Sequence, residues 1–261
     1  MSNRLALEFE SVFPIRQKAE GLSEPSGLAL APDGSLWTVC DDSRRLFRIS
    51  TTGHILSVLD INSRGLEGIT FDSEGRIWVV DEDASKIIVY DPLTGDQIAD
   101  RRLKKLDGYS AIAKHFKGAR NNGLEGIAFD SLRDEILLLK EAKPGLLIAI
   151  TSKLDRITAV DRLDERNGFT ADNVKSKKLD FSGMCYDATR DLLWIVSDKA
   201  ERVYTFDRRQ GCVIQSFALK NGQTGDSIPK VEGVAVDRES KHLYLVNDSN
   251  AELYVFRIVP L

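Results

Sequence analysis

The segment Gly65-Leu66-Glu67-Gly68-Ile69-Thr70-Phe71-Asp72 decides the fold, because close copies of it recur along the chain. One copy is Gly123-Leu124-Glu125-Gly126-Ile127-Ala128-Phe129-Asp130, and a looser one is Lys230-Val231-Glu232-Gly233-Val234-Ala235-Val236-Asp237. The weakest copies are Pro25-Ser26-Gly27-Leu28-Ala29-Leu30 and Phe181-Ser182-Gly183-Met184-Cys185-Tyr186-Asp187. A recurring unit of this kind indicates a repeat architecture.

Each copy of the motif opens a unit of short apolar strands joined by tight turns. In the second unit we predict strands over 68–71, 76–80, 86–90 and 97–99. The motif glycines at positions 27, 68, 126, 183 and 233 are separated by 41, 58, 57 and 50 residues. Four-stranded units of about 40 residues that repeat radially are typical of a β-propeller. Glycine suits the place where the inner strands of such a ring approach each other closely.

The five motifs predict an all-β fold, a five-bladed propeller with four antiparallel strands in each blade. The repeats begin near residues 24, 65, 123, 180 and 230 of a single domain that spans 1–261. The last repeat has only three predicted strands, and the strand-like segment 4–16 belongs to no repeat. We therefore expect this N-terminal strand to complete the last blade and close the ring, which removes two open sheet edges. A ring of six blades with one degenerate blade is the alternative.

The chain is longer than five minimal blades require, and the surplus is concentrated in three places. These inserts cover 101–122, 160–179 and 219–230. Each follows the outermost strand of one blade and precedes the innermost strand of the next. Such connections lie on one face of a propeller, and loops on a rigid scaffold tend to carry function. We therefore predict that this face is the functional one.

Acidic residues recur at two positions on that face. The residue just past the second strand is acidic in all five repeats, as Asp41, Glu82, Glu141, Asp198 and Asp248. The residue before the motif glycine is Glu67, Glu125 or Glu232 in three repeats, and Ser26 or Ser182 in the other two. Carboxylates that converge on a narrow axis repel one another, and a hard divalent ion relieves the repulsion.

These eight acids are the predicted ligands of a divalent cation, for which we expect calcium because it accepts roughly six to eight oxygen ligands in flexible geometry. His54, His115 and His242 stand in unrelated contexts, and the three cysteines form no zinc or disulfide pattern. The alternative is structural, with the acids capping blade loops by accepting backbone N–H hydrogen bonds.

A basic segment lies in the first insert. Between residues 101 and 120 it has seven Lys and Arg residues and one histidine against the single acid Asp107. We predict that Lys114, His115, Arg120 and Tyr109 bind a phosphate or carboxylate ligand bridged by the metal. The alternative is a solvated flap whose cations neutralise the acidic face.

The composition excludes several classes of protein. A net charge of −4 and a pI near 5.6 argue against nucleic-acid binding. The sequence has no run of 18 apolar residues, so we expect no transmembrane segment. Without an evident signal peptide the chain as given is expected in the cytoplasm, or outside it if a leader or anchor precedes this sequence. We expect a monomer.

The motifs resemble those of a known family. Leu66-Glu67-Gly68-Ile69-Thr70, Val231-Glu232-Gly233-Val234-Ala235 and the strand end Val80-Asp81-Glu82 are similar to the Glu-Gly motifs of the SdiA-regulated family. The similarity runs from about residue 20 to 258. A more distant similarity is to the esterase-like and phytase-like propellers, which share Leu-Glu-Gly. The resemblance implies a bacterial five-bladed propeller with a metal site at the acids named above and no established activity.

Three functions are compatible with these observations, and the third is a protein-interaction scaffold that binds no metal. The first is a binding module whose calcium ion and loops hold a small ligand or a protein partner. The second is a metal-dependent hydrolase of phosphate or carboxylic esters, phytase-like or lactonase-like, in which the metal activates water and a carboxylate acts as general base. Fold alone does not decide between them.

Overall fold

The computed structural model describes residues 4–40, 43–117 and 123–261, which form five sheets of four antiparallel strands. Blade 1 consists of β2 (Pro25–Leu30), β3 (Leu36–Cys40), β4 (Arg45–Ile49) and β5 (Ile55–Asp60). Blade 2 consists of β6 (Leu66–Phe71), β7 (Ile77–Asp81), β8 (Lys86–Tyr90) and β9 (Gln97–Arg102). Blade 3 consists of β10 (Leu124–Asp130), β11 (Glu135–Lys140), β12 (Gly145–Thr151) and β13 (Ile157–Leu163).

Blade 4 consists of β14 (Gly183–Asp187), β15 (Leu192–Ser197), β16 (Arg202–Asp207) and β17 (Cys212–Ala218). Blade 5 consists of β18 (Val231–Val236), β19 (His242–Asn247), β20 (Glu252–Pro260) and the N-terminal strand β1 (Leu5–Pro14). Short 3₁₀ turns cover Lys18–Glu20, Leu103–Lys105, Tyr109–Ala111, Ala113–His115, Glu165–Asn167 and Ser176–Lys178. The predicted five-bladed propeller is confirmed, and the described residues form no sixth sheet.

The two ends of the chain meet in blade 5. β1 runs antiparallel to β20, with Leu5 opposite Pro260 and Pro14 opposite Glu252. This pairing was predicted from the missing fourth strand of the last repeat, and it is confirmed. The closure covers the edge that β20 would otherwise expose.

Blade 3 differs from the sequence prediction in one respect. Its fourth strand, β13, extends to Leu163 and overlaps the insert that we predicted over 160–179. Five consecutive β13 residues are exposed, so the strand has no alternating apolar face by which the sequence could identify it. The insert between blades 3 and 4 therefore begins at residue 164.

The motif glycines allow the inner strands to touch around the axis. A Cβ atom at Gly27 would lie 2.5 Å from the carbonyl oxygen of Glu67 in blade 2, and one at Gly68 would lie 2.8 Å from the nitrogen of Ile127 in blade 3. At Gly183 the distance to the carbonyl oxygen of Glu232 would be 2.1 Å. A Cβ atom at Gly126 would lie 3.2 Å from Met184 N, and one at Gly233 would lie 2.7 Å from Leu28 N. These contacts complete the ring.

The close approach at Gly183 can be tested by adding a methyl group. Gly183→Ala places a Cβ against rigid backbone, so we expect a loss of about 3 kcal/mol in the free energy of unfolding. In Gly126→Ala the nearest atoms belong to the Leu139 side chain at 3.1 Å, and the expected loss is smaller, about 1 kcal/mol. Urea denaturation measures both. Equal losses would contradict the packing described for Gly183.

Candidate metal centre

Three β-bulges present the motif glutamates. The strand register shifts between Leu66 and Gly68, between Leu124 and Gly126, and between Val231 and Gly233, so the glutamate between each pair is the extra residue of a bulge. A bulge leaves its residue outside the ladder and can redirect the side chain. Glu67, Glu125 and Glu232 therefore stand at the mouth of the channel where the inner strands begin.

Backbone hydrogen bonds hold three of the acids that follow the second strands close to the motif glutamates. Glu82 N donates to Gly65 O (3.1 Å), Glu141 N to Gly123 O (3.2 Å) and Asp248 N to Lys230 O (2.9 Å). Each acceptor is the residue two positions before a motif glutamate. The two rows of acids predicted from the sequence therefore adjoin within single blades.

These acids line one cavity of about 350 Å³, which we call the acidic mouth. Its described lining residues include nine carboxylates and a single cation, Lys199. The carboxylates are Glu24, Glu67, Glu82, Glu125, Glu141, Asp180, Asp198, Glu232 and Asp248, and Ser26 and Ser182 complete the lining. Seven of the eight predicted metal ligands thus share this cavity, while the eighth, Asp41, lies outside the described residues.

Three of the carboxylates converge more closely than the rest. Glu82, Glu125 and Glu141 each offer an oxygen within 4.8 Å of the other two. We call these three residues the carboxylate triad.

Burial and like charges make ionisation in the mouth unfavourable. Burial, together with the charges of Glu67 and Glu82, raises the pKa of Glu125 to about 11. Burial, with Asp198 and Glu67, raises the pKa of Glu232 to about 9. Burial also raises the pKa values of Glu141 and Asp198 above their usual range. Carboxyl groups in such a setting take up protons or bind a cation.

Some of the acids also cap backbone, as the structural alternative expected. Glu82 Oε1 accepts the Gly123 N–H at 3.1 Å, and Asp198 Oδ1 accepts the Lys230 N–H at 2.7 Å. Asp248 Oδ2 accepts a hydrogen bond from Lys230 Nζ at 2.8 Å. Each carboxylate has two oxygens, so one can accept a hydrogen bond while the other coordinates a cation.

Glu24 and Asp180 were not among the residues predicted from the sequence, although a signal for them exists. Each lies two residues before the serine that replaces the motif glutamate, in Glu24-Pro25-Ser26 and Asp180-Phe181-Ser182. Blades 1 and 4 thus shift their inner acid by two positions. Lys199, which follows Asp198 directly, was also missed.

The described part of the basic insert packs between blades 2 and 3. Leu103 N donates to Ser85 O (2.8 Å), and Asp107 N donates to Asp155 O (2.9 Å) in the loop after β12, so the insert follows the seam between blades 2 and 3. Leu103, Leu106 and Ile112 are buried in that seam. The side chains of Lys114, His115 and Tyr109 do not line the acidic mouth.

Tyr109 packs against Phe116 with ring centroids 6.1 Å apart, and burial raises its pKa. Burial and the neighbouring cations Lys114 and Arg162 lower the pKa of His115. The fourth predicted ligand-binding residue, Arg120, lies outside the described residues. A ligand-binding role for these four residues stays a prediction.

The opposite mouth of the channel is chemically different. A cavity of about 430 Å³ there is lined by Phe71, Phe129 and Tyr186 among others, and its acids are paired within the chain. Asp72 accepts hydrogen bonds from Arg76 Nε and Trp78 Nε1, both at 2.7 Å, and Asp187 Oδ2 lies 3.1 Å from Arg190. The convergence of three carboxylates is therefore a feature of the acidic mouth and not of this cavity.

The raised pKa values predict how stability depends on pH in the presence of a chelator. A carboxyl whose pKa is higher in the folded protein than in the unfolded chain stabilises the fold while protonated, and this contribution is lost as the pH rises. The free energy of unfolding should therefore fall between pH 4.5, the ordinary value for Glu232, and its folded pKa of about 9. Urea denaturation at several pH values measures the slope. Glu125→Gln should make it shallower, and an unchanged slope would contradict this electrostatic picture.

The described residues include no helix that is long and apolar enough to cross a membrane. This agrees with the prediction from the sequence.

Comparison with known proteins supports the fold. The structure is similar to the crystal structure of glutaminyl cyclase from Myxococcus xanthus, with a TM-score of 0.67 and 10% sequence identity, over 98% of this chain and 97% of that one. A weaker similarity is to the β-propeller domain of Cps50 (Swd1) from Myceliophteria thermophila, with a TM-score of 0.48 and 13% identity, over 93% of this chain and 65% of that one.

The sequence itself matches a profile of the SdiA-regulated family over residues 5–257. This match covers nearly the whole chain and includes all five motif repeats. The chain belongs to the SdiA-regulated family.

Proposed function

We propose that this protein is a divalent-cation-binding module and that calcium occupies the acidic mouth. The observation that supports the proposal is the convergence of Glu82, Glu125 and Glu141 oxygens within 4.8 Å of one another. Without a cation, burial and the neighbouring carboxylates raise the pKa values of Glu125 and Glu141 and oppose ionisation there. A divalent ion removes the repulsion and leaves all three carboxyl groups ionised.

The donor chemistry favours calcium over softer metals. The described residues that line the mouth offer carboxylate, hydroxyl and backbone oxygens, and neither histidine nor cysteine is among them. Oxygen donors suit hard cations, whereas zinc and copper prefer nitrogen and sulfur. Calcium also tolerates irregular geometry, which suits carboxylates that come from several blades. Glu82, Glu125 and Glu141 would hold the ion, and Glu67 and Glu232 would add negative charge around it.

A bound ion would make the mouth a receptor for a ligand. The cavity of about 350 Å³ falls at the lower end of the range for small-molecule pockets, roughly 300–1,000 Å³. An ion at the triad would leave space in the cavity for a ligand group that completes its coordination. The binding partner in this proposal is a small molecule or an exposed segment of another protein.

The geometry gives less support to a metal-dependent ester hydrolase. The sequence feature that favoured a hydrolase was the basic insert, and none of its described cations lines the mouth. The similarity to a glutaminyl cyclase is at 10% identity and therefore concerns the fold alone. The binding module is the function that the geometry supports better.

Thermal unfolding in the presence of calcium tests the proposal. An ion that binds only the folded state stabilises it by about 2.7 kcal/mol at a concentration one hundred times its dissociation constant. We expect chelator-stripped protein to gain stability of this order with millimolar calcium. Glu125→Gln and Glu141→Gln should abolish most of the gain, because each removes one carboxylate of the triad.

Glu239→Gln is the matched control for these substitutions. Glu239 is exposed, pairs with Lys241 and follows Arg238, which lines the opposite mouth. Its replacement should leave the calcium response unchanged. The absence of a response in the wild-type protein, or an equal loss in all three variants, would refute a calcium site at the triad.

A further inference from the structure

Lys199 is an exception to the pattern of the repeats. The residue that follows the second-strand acid is Asp83 in blade 2, Ala142 in blade 3 and Ser249 in blade 5, whereas blade 4 has Lys199 after Asp198. Lys199 is also the one cation among the described lining residues of the acidic mouth. A positive charge inside an acidic cavity affects every other cation that enters it.

Asp180 holds the Lys199 side chain in place. Asp180 Oδ1 accepts hydrogen bonds from Ser197 Oγ (2.9 Å) and from the Lys199 N–H (3.1 Å), while Oδ2 lies 2.6 Å from Lys199 Nζ. The Asp180 side chain is only 7% exposed, so its orientation is fixed by these contacts. Asp180 therefore holds both the backbone N–H and the ammonium group of Lys199.

The same ammonium group reaches the carboxylate triad. Lys199 Nζ lies 3.9 Å from Glu141 Oε1, and Glu141 is one of the three converging carboxylates. A divalent ion at the triad would therefore lie close to a fixed positive charge, and the two would repel. The lysine side chain is 53% exposed, so solvent screens part of this repulsion.

We propose that Lys199 is an internal counter-ion that competes with the divalent cation for Glu141 and thereby sets the affinity of the site. The inference rests on the proposed function, since it concerns the same ion. In the cation-free protein, Lys199 supplies part of the positive charge that the triad lacks. Binding of the ion replaces the attraction between Lys199 and Glu141 and places the ion beside the ammonium group that Asp180 holds, and this lowers the affinity. Lys199 is thus a residue that determines affinity from outside the set of ion ligands.

Calcium titration calorimetry of the full chain tests the role of Lys199. Lys199→Met keeps the aliphatic side chain and removes the charge, and we expect it to tighten calcium binding about tenfold, equivalent to about 1.4 kcal/mol. Lys199→Arg keeps the charge and should bind calcium about as weakly as the wild-type protein. The difference between wild-type and Lys199→Met should shrink at high salt, because screening weakens the repulsion.

Lys230→Met is the matched control. Lys230 Nζ also pairs with an acid of the mouth, Asp248, at 2.8 Å, and its side chain is 57% exposed, but Asp248 is not part of the triad. We expect a much smaller gain in affinity for this variant. An equal gain would show an effect of net charge alone and would overturn the specific role of Lys199.

The other outcomes separate the inference from the proposed function. If wild-type protein and Lys199→Met bind calcium equally well, the inference fails and the calcium site stands. If Lys199→Met only lowers the melting temperature and leaves the dissociation constant unchanged, Lys199 is structural and the inference fails as well. If no variant binds calcium, the proposed function fails, and the inference fails with it.

Discussion

The close approach of five inner strands at five glycines is the constraint on which the rest of the structure depends. Each motif glycine occupies a position where a Cβ atom would collide with, or press tightly against, the next blade, and the contacts run around the whole ring. We call this ring of glycine contacts the collar. The side chains of neighbouring blades pack outside it, and Trp78, Trp194 and Tyr204 are among the fully buried ones. Because the collar brings the backbone so near the axis, the residue just before each glycine stands at the mouth of the channel. The motif therefore places a functional side chain directly before the glycine that determines the packing.

The acidic mouth follows from this geometry through the bulges. At Glu67, Glu125 and Glu232 the ladder has one extra residue, and the side chain of that residue is not committed to packing between blades. Glu82, Glu141 and Asp248 reach the same place because the backbone N–H of each donates to the residue just before the inner strand of its blade. Burial then raises the pKa values of several of these groups, which favours the uptake of a proton or a cation over ionised carboxylates without one.

The five blades differ from one another at the residues that line the acidic mouth. Blades 2, 3 and 5 place a glutamate at the bulge, whereas blades 1 and 4 place a serine there and an acid two residues earlier. Blade 4 adds Lys199, which pairs with Asp180 and faces Glu141 of blade 3. The carboxylate triad consequently lies on the side of the mouth formed by blades 2 and 3. At the opposite mouth, Asp72 and Asp187 are used to hold turns and tryptophan side chains.

The sequence by itself determined the blade count, the ring closure and the face of the propeller on which the acids lie, because these follow from spacing and alternation along the chain. It also identified seven of the acids that share the cavity, since their positions repeat with the motif. Only the tertiary structure decided that Glu82, Glu125 and Glu141 converge, because contacts between blades depend on the radial arrangement of strands that are distant in sequence. Only the tertiary structure likewise places Lys199 between Asp180 and Glu141 and shows where the basic insert packs. The buried Leu103, Leu106 and Ile112 hold that insert in a seam between blades, a preference that its charge pattern alone did not reveal.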